Sequence, residues 1–243
     1  MINLRRSLTG FTIVSAILTA INLPGSSIHQ PDSQFFSQFF SQGIAQASGS
    51  RFAFWQRRPR TRLVSRSNAC PVSPGLLKTM TLWHDRPTFI WQGQGIVRVS
   101  LSDYETRKVL WMQAVNAPQQ EVVYNGEPLQ PGKLYRWQIV GDKSSQTYRS
   151  DSQVWYKFEV MATSEREQIK ADLQKLEQSA RVSRRSQEEQ AIDQANYFAD
   201  RELWSDALQV LQRVENPSAT FAKQRQTYVA NLCAQEGISA SAH

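Results

Sequence analysis

The side chains able to do chemistry are few. Of three histidines, His29 lies near the start, His243 is the last residue, and only His84 falls mid-chain, beside Asp85. Residues adjacent in sequence do not orient one another as a catalytic dyad requires, and no Gly-x-Ser-x-Gly elbow is present. There is no glycine-rich loop to cradle a phosphate and no His/Cys spacing that would hold a metal. A pair of carboxylates brought together in space is the one hydrolytic chemistry that spacing leaves open. The chain therefore reads as a non-enzyme, with no catalytic, cofactor-binding or metal-ligating residues to name and no cofactor.

Two other groups carry chemistry. Cys70 and Cys233 are the only thiols. In an exported chain an even count points to a disulfide, and closing so long a loop would stabilise by about 4–5 kcal/mol in the chain-entropy picture. The alternative is two unrelated small apolar side chains. The second group is the segment RFAFWQRRPRTRLVSR, residues 51–66, with six arginines and no acid. Guanidinium forks bind phosphate, sulfate and carboxylate in pairs of hydrogen bonds and stack on aromatic rings. Arg57, Arg58, Arg60, Arg62 and Arg66 are the candidate polyanion ligands, against the plainer reading of a solvated basic linker. Pro59 and the lack of periodicity argue against a helix there.

The charge balance narrows the partner. The net charge of the 243-residue chain is +7, and residues 1–70 carry all of it: eight arginines against Asp32. Beyond residue 70 acids and bases balance, so a basic pI is no argument that the folded part binds nucleic acid. Arg5 and Arg6 precede the uncharged run Leu8–Leu23, the layout of a secretory signal. That run is shorter than the roughly 20 residues that span a bilayer comfortably, so a cleaved signal is preferred to a retained anchor. Ala45-Gln46-Ala47 is the best small-x-small cleavage site. The SQFF repeat within residues 33–43 reads as a linker, with membrane contact confined to this N-terminal part.

The elements that must position these residues change character along the chain. From Leu82 to Met161 short aromatic and β-branched runs alternate with turn residues: Thr88–Trp91, Ile96–Leu101, Val109–Val115, Glu121–Tyr124 before Asn125-Gly126, Leu134–Val140 and Val154–Met161. Val97, Val99 and Leu101 are expected on one face, as are Tyr135, Trp137 and Ile139. From Ser164 onward apolar residues recur at helical spacing. Ser164–Glu167 and Ser186–Glu189 fit capping boxes, Asp200-Arg201-Glu202 a turn, and Asn216-Pro217 a stop. Further helices carry Trp204, Ala207, Leu208, Leu211 and Val214, then Phe221, Tyr228, Val229 and Leu232.

The motifs PTFIW at Pro87–Trp91 and LQPGKLYRWQI at Leu129–Ile139 resemble the fibronectin type III pattern. That resemblance implies an immunoglobulin-like antiparallel β-sandwich with Trp91, Tyr135 and Trp137 in its core and a turn at Pro131-Gly132. The stretch Ala191–Pro217 resembles one tetratricopeptide-type helical hairpin, with Ala191, Ala195 and Phe198 on its first helix and Ala207 on its second. The whole order, including Cys-Pro at 70–71 and LWSDALQVL at Leu203–Leu211, resembles a cyanobacterial family of exported proteins of no assigned activity, and implies no catalytic residues.

The expected fold class is α+β: a signal or anchor with linker (1–47), an arginine-rich lead (48–75), a β-sandwich (76–162), a helical region (163–235) and a tail (236–243). The expected function is an exported, periplasmic or extracellular, interaction and scaffolding module whose partner is an envelope protein. The alternative is a module that binds an anionic glycan or cell-wall polymer through Arg51–Arg66. Nucleic acid is excluded as a partner by the export signal.

Overall fold

Period-two alternation builds two sheets, and a 3.6-residue period builds a helical layer against one of them. The computed structural model describes residues 53–59, 69–77, 80–142 and 154–234. Eight strands appear in it: β1 (Ala69–Ser73), β2 (Thr81–Leu82), β3 (Thr88–Gly93), β4 (Ile96–Asp103), β5 (Val109–Ala114), β6 (Glu121–Val123), β7 (Leu134–Gly141) and β8 (Tyr156–Val160). A one-turn helix, α1 (Ala53–Gln56), precedes them. Four longer helices follow: α2 (Thr163–Val182), α3 (Gln187–Asp200), α4 (Trp204–Gln212) and α5 (Ala219–Ala234). The chain is thus α+β, with helices after the sheets.

Three strands pair in the order β1-β3-β6 and five in the order β2-β8-β7-β4-β5. All ladders are antiparallel except the short β2–β8 pair, which is parallel. Inward residues of both sheets share one core: Phe89 and Trp91 from β3 meet Val99 and Leu101 from β4, Tyr135 and Trp137 from β7, and Phe158 and Val160 from β8. Trp91, Tyr135 and Trp137, the aromatics expected in the core, are all buried there, and Phe89 lies 4.8 Å from Trp137, ring centre to ring centre. At the entry to β7, Lys133 N–H reaches Gln130 C=O at 3.4 Å, and Gly132 at φ +74° supplies the left-handed residue that this turn needs.

One face assignment needs correcting. Val97 does not join Val99 and Leu101 inside; it is 41% exposed, and Ile96 packs against the core instead. The β4–β7 register shifts between Ile96 and Arg98, so a bulge there inverts the inside–outside order for one residue.

A second core lies between the helices and the outer face of the three-stranded sheet. Cys70 and Val72 on β1 and Ile90 on β3 join Leu173 of α2, Ala195 and Phe198 of α3, Leu208 and Leu211 of α4, and Phe221, Tyr228 and Leu232 of α5. Strand β3 is consequently buried on both faces, which is why Phe89–Trp91 is continuously apolar rather than alternating. Helix α3 starts in the capping box expected at Ser186 and Glu189, with both reciprocal hydrogen bonds formed. The box expected at Ser164 is not formed: α2 begins at Thr163 behind Ala162, with no side-chain cap. Helices α3 and α4 join through Arg201–Leu203, with Glu202 at φ 59° making the reversal.

The arginine-rich lead differs from a solvated linker in its first residues. Residues 53–56 make a helical turn, Phe54 is fully buried in the second core, and Trp55 packs on Phe221 and Tyr228. Apolar anchoring outweighs the missing periodicity, because a single turn needs none. Strand β1 also lies inside the stretch read as lead. Its Pro71 is tolerated because β1 is an edge strand.

Candidate functional site

Segment 83–87, between β2 and β3, crosses the N-terminal part of α4. Three polar residues at helical spacing on α4 and just beyond it, Asp206, Gln209 and Arg213, face this segment. The Asp206 carboxylate is 1% exposed and accepts the backbone N–H of Trp83 and of His84, each at 2.9 Å. The same carboxylate lies 2.6 Å from His84 Nδ1. Gln209 continues the clamp: its Oε1 accepts Thr88 N–H at 2.8 Å and its Nε2 donates to Arg86 C=O at 3.0 Å. Arg213 Nη2 also donates to Arg86 C=O, at 3.4 Å. These contacts satisfy a loop backbone that would otherwise be buried without partners.

Helix α2 closes the other side. Arg166 Nη2 pairs with Asp85 at 2.9 Å, and its backbone C=O accepts Trp83 Nε1–H at 3.1 Å. The His84 ring is held between Trp83 (4.8 Å, edge-on) and Phe198 of α3 (5.7 Å). Between these elements is a cavity of about 500 Å³. Its wall combines Trp83, Leu173, Phe198 and Val210 with His84, Asp85, Arg86, Arg166, Glu177, Gln194 and Arg213.

Burial pulls the Arg213 guanidinium below its ordinary value, and the nearby carboxylates of Asp206 and Asp85 act in the opposite direction. The cavity wall carries no serine, threonine or cysteine, so it offers no hydroxyl or thiol nucleophile. It offers guanidinium forks, the carboxylates of Asp85 and Glu177, an imidazole fixed through one nitrogen, and aromatic faces. Among the described residues no cluster of His, Cys, Asp and Glu could hold a metal ion, and no helix is long and apolar enough to cross a membrane.

The residues singled out from sequence lie elsewhere. Cys70 and Cys233 are bonded to each other, with Cα atoms 6.1 Å apart, and tie β1 to α5. Arg57 is engaged: its guanidinium pairs with Asp200, donates to Asn196 C=O and Oδ1 at 3.3 Å each, and lies 5.8 Å over the Trp204 ring. Arg58 is exposed and donates to the carbonyls of Trp55 and Arg57. Arg60, Arg62 and Arg66 lie outside the described residues, as do the signal run, the SQFF repeat and the cleavage site. Sequence reasoning considered His84 with Asp85 and missed Asp206, its actual partner 122 residues away. One signal was available: Asp206, Gln209 and Arg213 form a polar stripe at helical spacing along LWSDALQVL and two residues beyond it.

Compared with family models, curated proteins and solved structures, the chain gives no significant match to any.

Proposed function

We propose that the protein is a non-enzymatic interaction module that works outside the cytoplasm, in the cell envelope, and that it holds its ligand or partner at the cleft formed by segment 83–86 and α2–α4. The observation carrying this reading is that cleft: a preformed cavity of about 500 Å³ whose loop wall is fixed by backbone hydrogen bonds to Asp206 and Gln209 of α4. Preformed sites bind without the cost of ordering a loop. The disulfide Cys70–Cys233 supports an oxidising compartment, in agreement with the Arg5-Arg6 head and apolar run of the leader.

In this proposal the β part is a fibronectin type III-like sandwich. Two features support it: the division into a three-stranded and a five-stranded sheet, and Tyr135. The Tyr135 Oη accepts Gln130 N–H at 2.8 Å, in the manner of the tyrosine corner of such sandwiches. Helices α3 and α4 form a tetratricopeptide-like pair docked on that sandwich, and the cyanobacterial exported family remains the proposed kinship. Scaffolding of an envelope partner is favoured over polyanion binding through Arg51–Arg66, because Arg57 is committed to Asp200 and Asn196.

The test is made on protein in its native cells, by fractionation and thiol alkylation, with a photo-crosslinking residue replacing Arg86 at the cleft rim or Val182 at the end of α2. Export with both cysteines protected until reduction, and a discrete adduct from position 86 but not 182, is expected. A cytoplasmic protein with two free thiols, or adducts that do not distinguish the positions, overturns the reading.

A further inference from the structure

We propose that strand β5 is an association edge at which a second copy of this chain adds its own β5 antiparallel, so that the two five-stranded sheets continue into each other. This surface shares no residue with the cleft described above, and neither reading depends on the other.

Among the described residues four strands border a sheet: β1 and β6 in one, β2 and β5 in the other. Native proteins keep such borders short, interrupt them with proline or charge, or cover them. Strand β2 has two residues and β6 three. Strand β1 carries Pro71 and is tied to α5 by the disulfide. Strand β5 has six residues, VLWMQA, with neither proline nor charge. Its ladder with β4 shifts register only at the Val109 end and is regular from Trp111 to Ala114.

Met112 is placed to pair. Val115 N–H donates to Val97 C=O at 3.0 Å, and the pairs that follow are Val99 with Gln113 and Leu101 with Trp111. Bonded positions alternate along an antiparallel ladder, so Trp111 and Gln113 turn their N–H and C=O toward β4, and Met112 turns both away from it. Ala114 likewise turns its N–H outward. The side chains follow the pleat: Trp111 packs on the two-sheet core, while Leu110 and Met112 are 43% and 58% exposed. A two-fold axis through Met112 matches its N–H and C=O with those of the partner's Met112, and sets Leu110 opposite the partner's Ala114. Charge favours this occupant. Arg107 and Lys108 precede the strand, and both are exposed. An antiparallel copy places its own basic pair at the far end, about 25 Å away at about 3.4 Å per residue, so Lys108 meets an uncharged stretch, residues 115–117, and no like charge. The strand itself offers no charge by which a foreign acidic or basic segment would be selected.

The experiment is sedimentation velocity of the full chain, disulfide intact, over a concentration series, paired with amide-resolved hydrogen exchange. A ladder of this length lies at the small end of interface sizes, so a reversible dimer with a dissociation constant of about 1–100 μM is expected. As the dimer fills, exchange at the Met112 and Ala114 amides slows, whereas the Trp111 and Gln113 amides, already bonded to β4, change less. Met112→Lys puts two like charges on the axis and is expected to weaken the dimer about tenfold or more. Val182→Lys, at a residue 75% exposed on α2, leaves it unchanged. If Met112→Lys fails to fold, the concentration dependence of exchange at Met112 in the unaltered chain decides alone. A chain that stays monomeric throughout the series overturns the proposal. So does a dimer that survives Met112→Lys or leaves exchange at Met112 unchanged, the pattern that association through the apolar run Leu8–Leu23 would give. Monomers whose Met112 and Ala114 amides are protected by an added alternating Thr-Val peptide overturn it too, and give the edge to a foreign strand.

Discussion

At the scale of single residues, Asp206 is the most consequential side chain outside the apolar cores. A carboxylate at 1% exposure persists only when its lone pairs are used, and here two N–H groups and an imidazole use them. Asp206→Asn keeps the shape but turns an NH2 group toward one of those donors. The expected loss is about 2–4 kcal/mol in chemical denaturation; a change below 0.5 kcal/mol would mean the loop is held by something else. Tyr135 makes a similar test in the two-sheet core. Its hydroxyl is the acceptor for Gln130 N–H, so Tyr135→Phe orphans a donor beside a turn and is expected to cost about 1–3 kcal/mol without changing the circular dichroism spectrum. Glu121 on β6 acts in the opposite sense. Burial raises its carboxyl above the usual range, only partly opposed by Arg225. A raised acid favours the folded state below the unfolded-state value and loses that contribution as pH rises through the folded-state value. Glu121→Gln is therefore expected to raise Tm near pH 8 and to leave it unchanged near pH 3. A variant less stable than the parent at pH 8 contradicts this.

At the scale of elements, the tightest constraint is where α3 meets α4. Ala195 and Ala207 are both fully buried, one on each helix, beside Phe198 and Leu208. Small residues there let the two helices approach closely, so Ala195→Leu is expected to destabilise by about 1–3 kcal/mol through overpacking, read as a lowered denaturation midpoint at unchanged slope. No loss of stability would mean that a void, rather than a packed contact, surrounds Ala195. These alanines were legible through the resemblance of Ala191–Pro217 to a tetratricopeptide-type hairpin. So were Trp91, Tyr135 and Trp137, since alternation places them inside whatever partner sheet exists. Ile90 was not legible as a contact to the helices. Its burial depends on residues more than a hundred positions away, and alternation alone sends it to solvent. Val97 was misplaced because a bulge leaves no mark in a run of β-branched residues. Strand β1 was hidden by Pro71, which argues against a strand unless the edge position is known. The His84–Asp206 pair failed for the same reason as Ile90: periodicity reports faces, not which distant element covers them.

At the scale of the whole described chain, the two cores share strand β3, and the disulfide closes the helical layer onto the sheet beside it. Cys70 pairs with Gln92 across the β1–β3 ladder, while Cys233 lies in the last turn of α5. The bond therefore joins the final helix to the first strand across a separation of 163 residues. In the chain-entropy picture, closing a loop of that size disfavours the unfolded state by about 5 kcal/mol, and measured effects run lower. Removing both sulfurs, as Cys70→Ala with Cys233→Ala, is expected to cost about 2–5 kcal/mol. The effect should not be uniform in the native state. The core around β7 is held by aromatic contacts that do not involve the bond, whereas α5 is anchored by Phe221, Tyr228, Leu232 and the disulfide itself. Hydrogen exchange should therefore accelerate most along α5 and in α1, whose Phe54 and Trp55 pack on Tyr228, and whose neighbour Arg57 gives its carbonyl to the Tyr228 hydroxyl at 3.1 Å. Exchange in β4 and β7 should change only as far as global stability changes. If β7 and α5 accelerated equally, the two cores would unfold as one unit, and β3 would be the rigid link that makes them so.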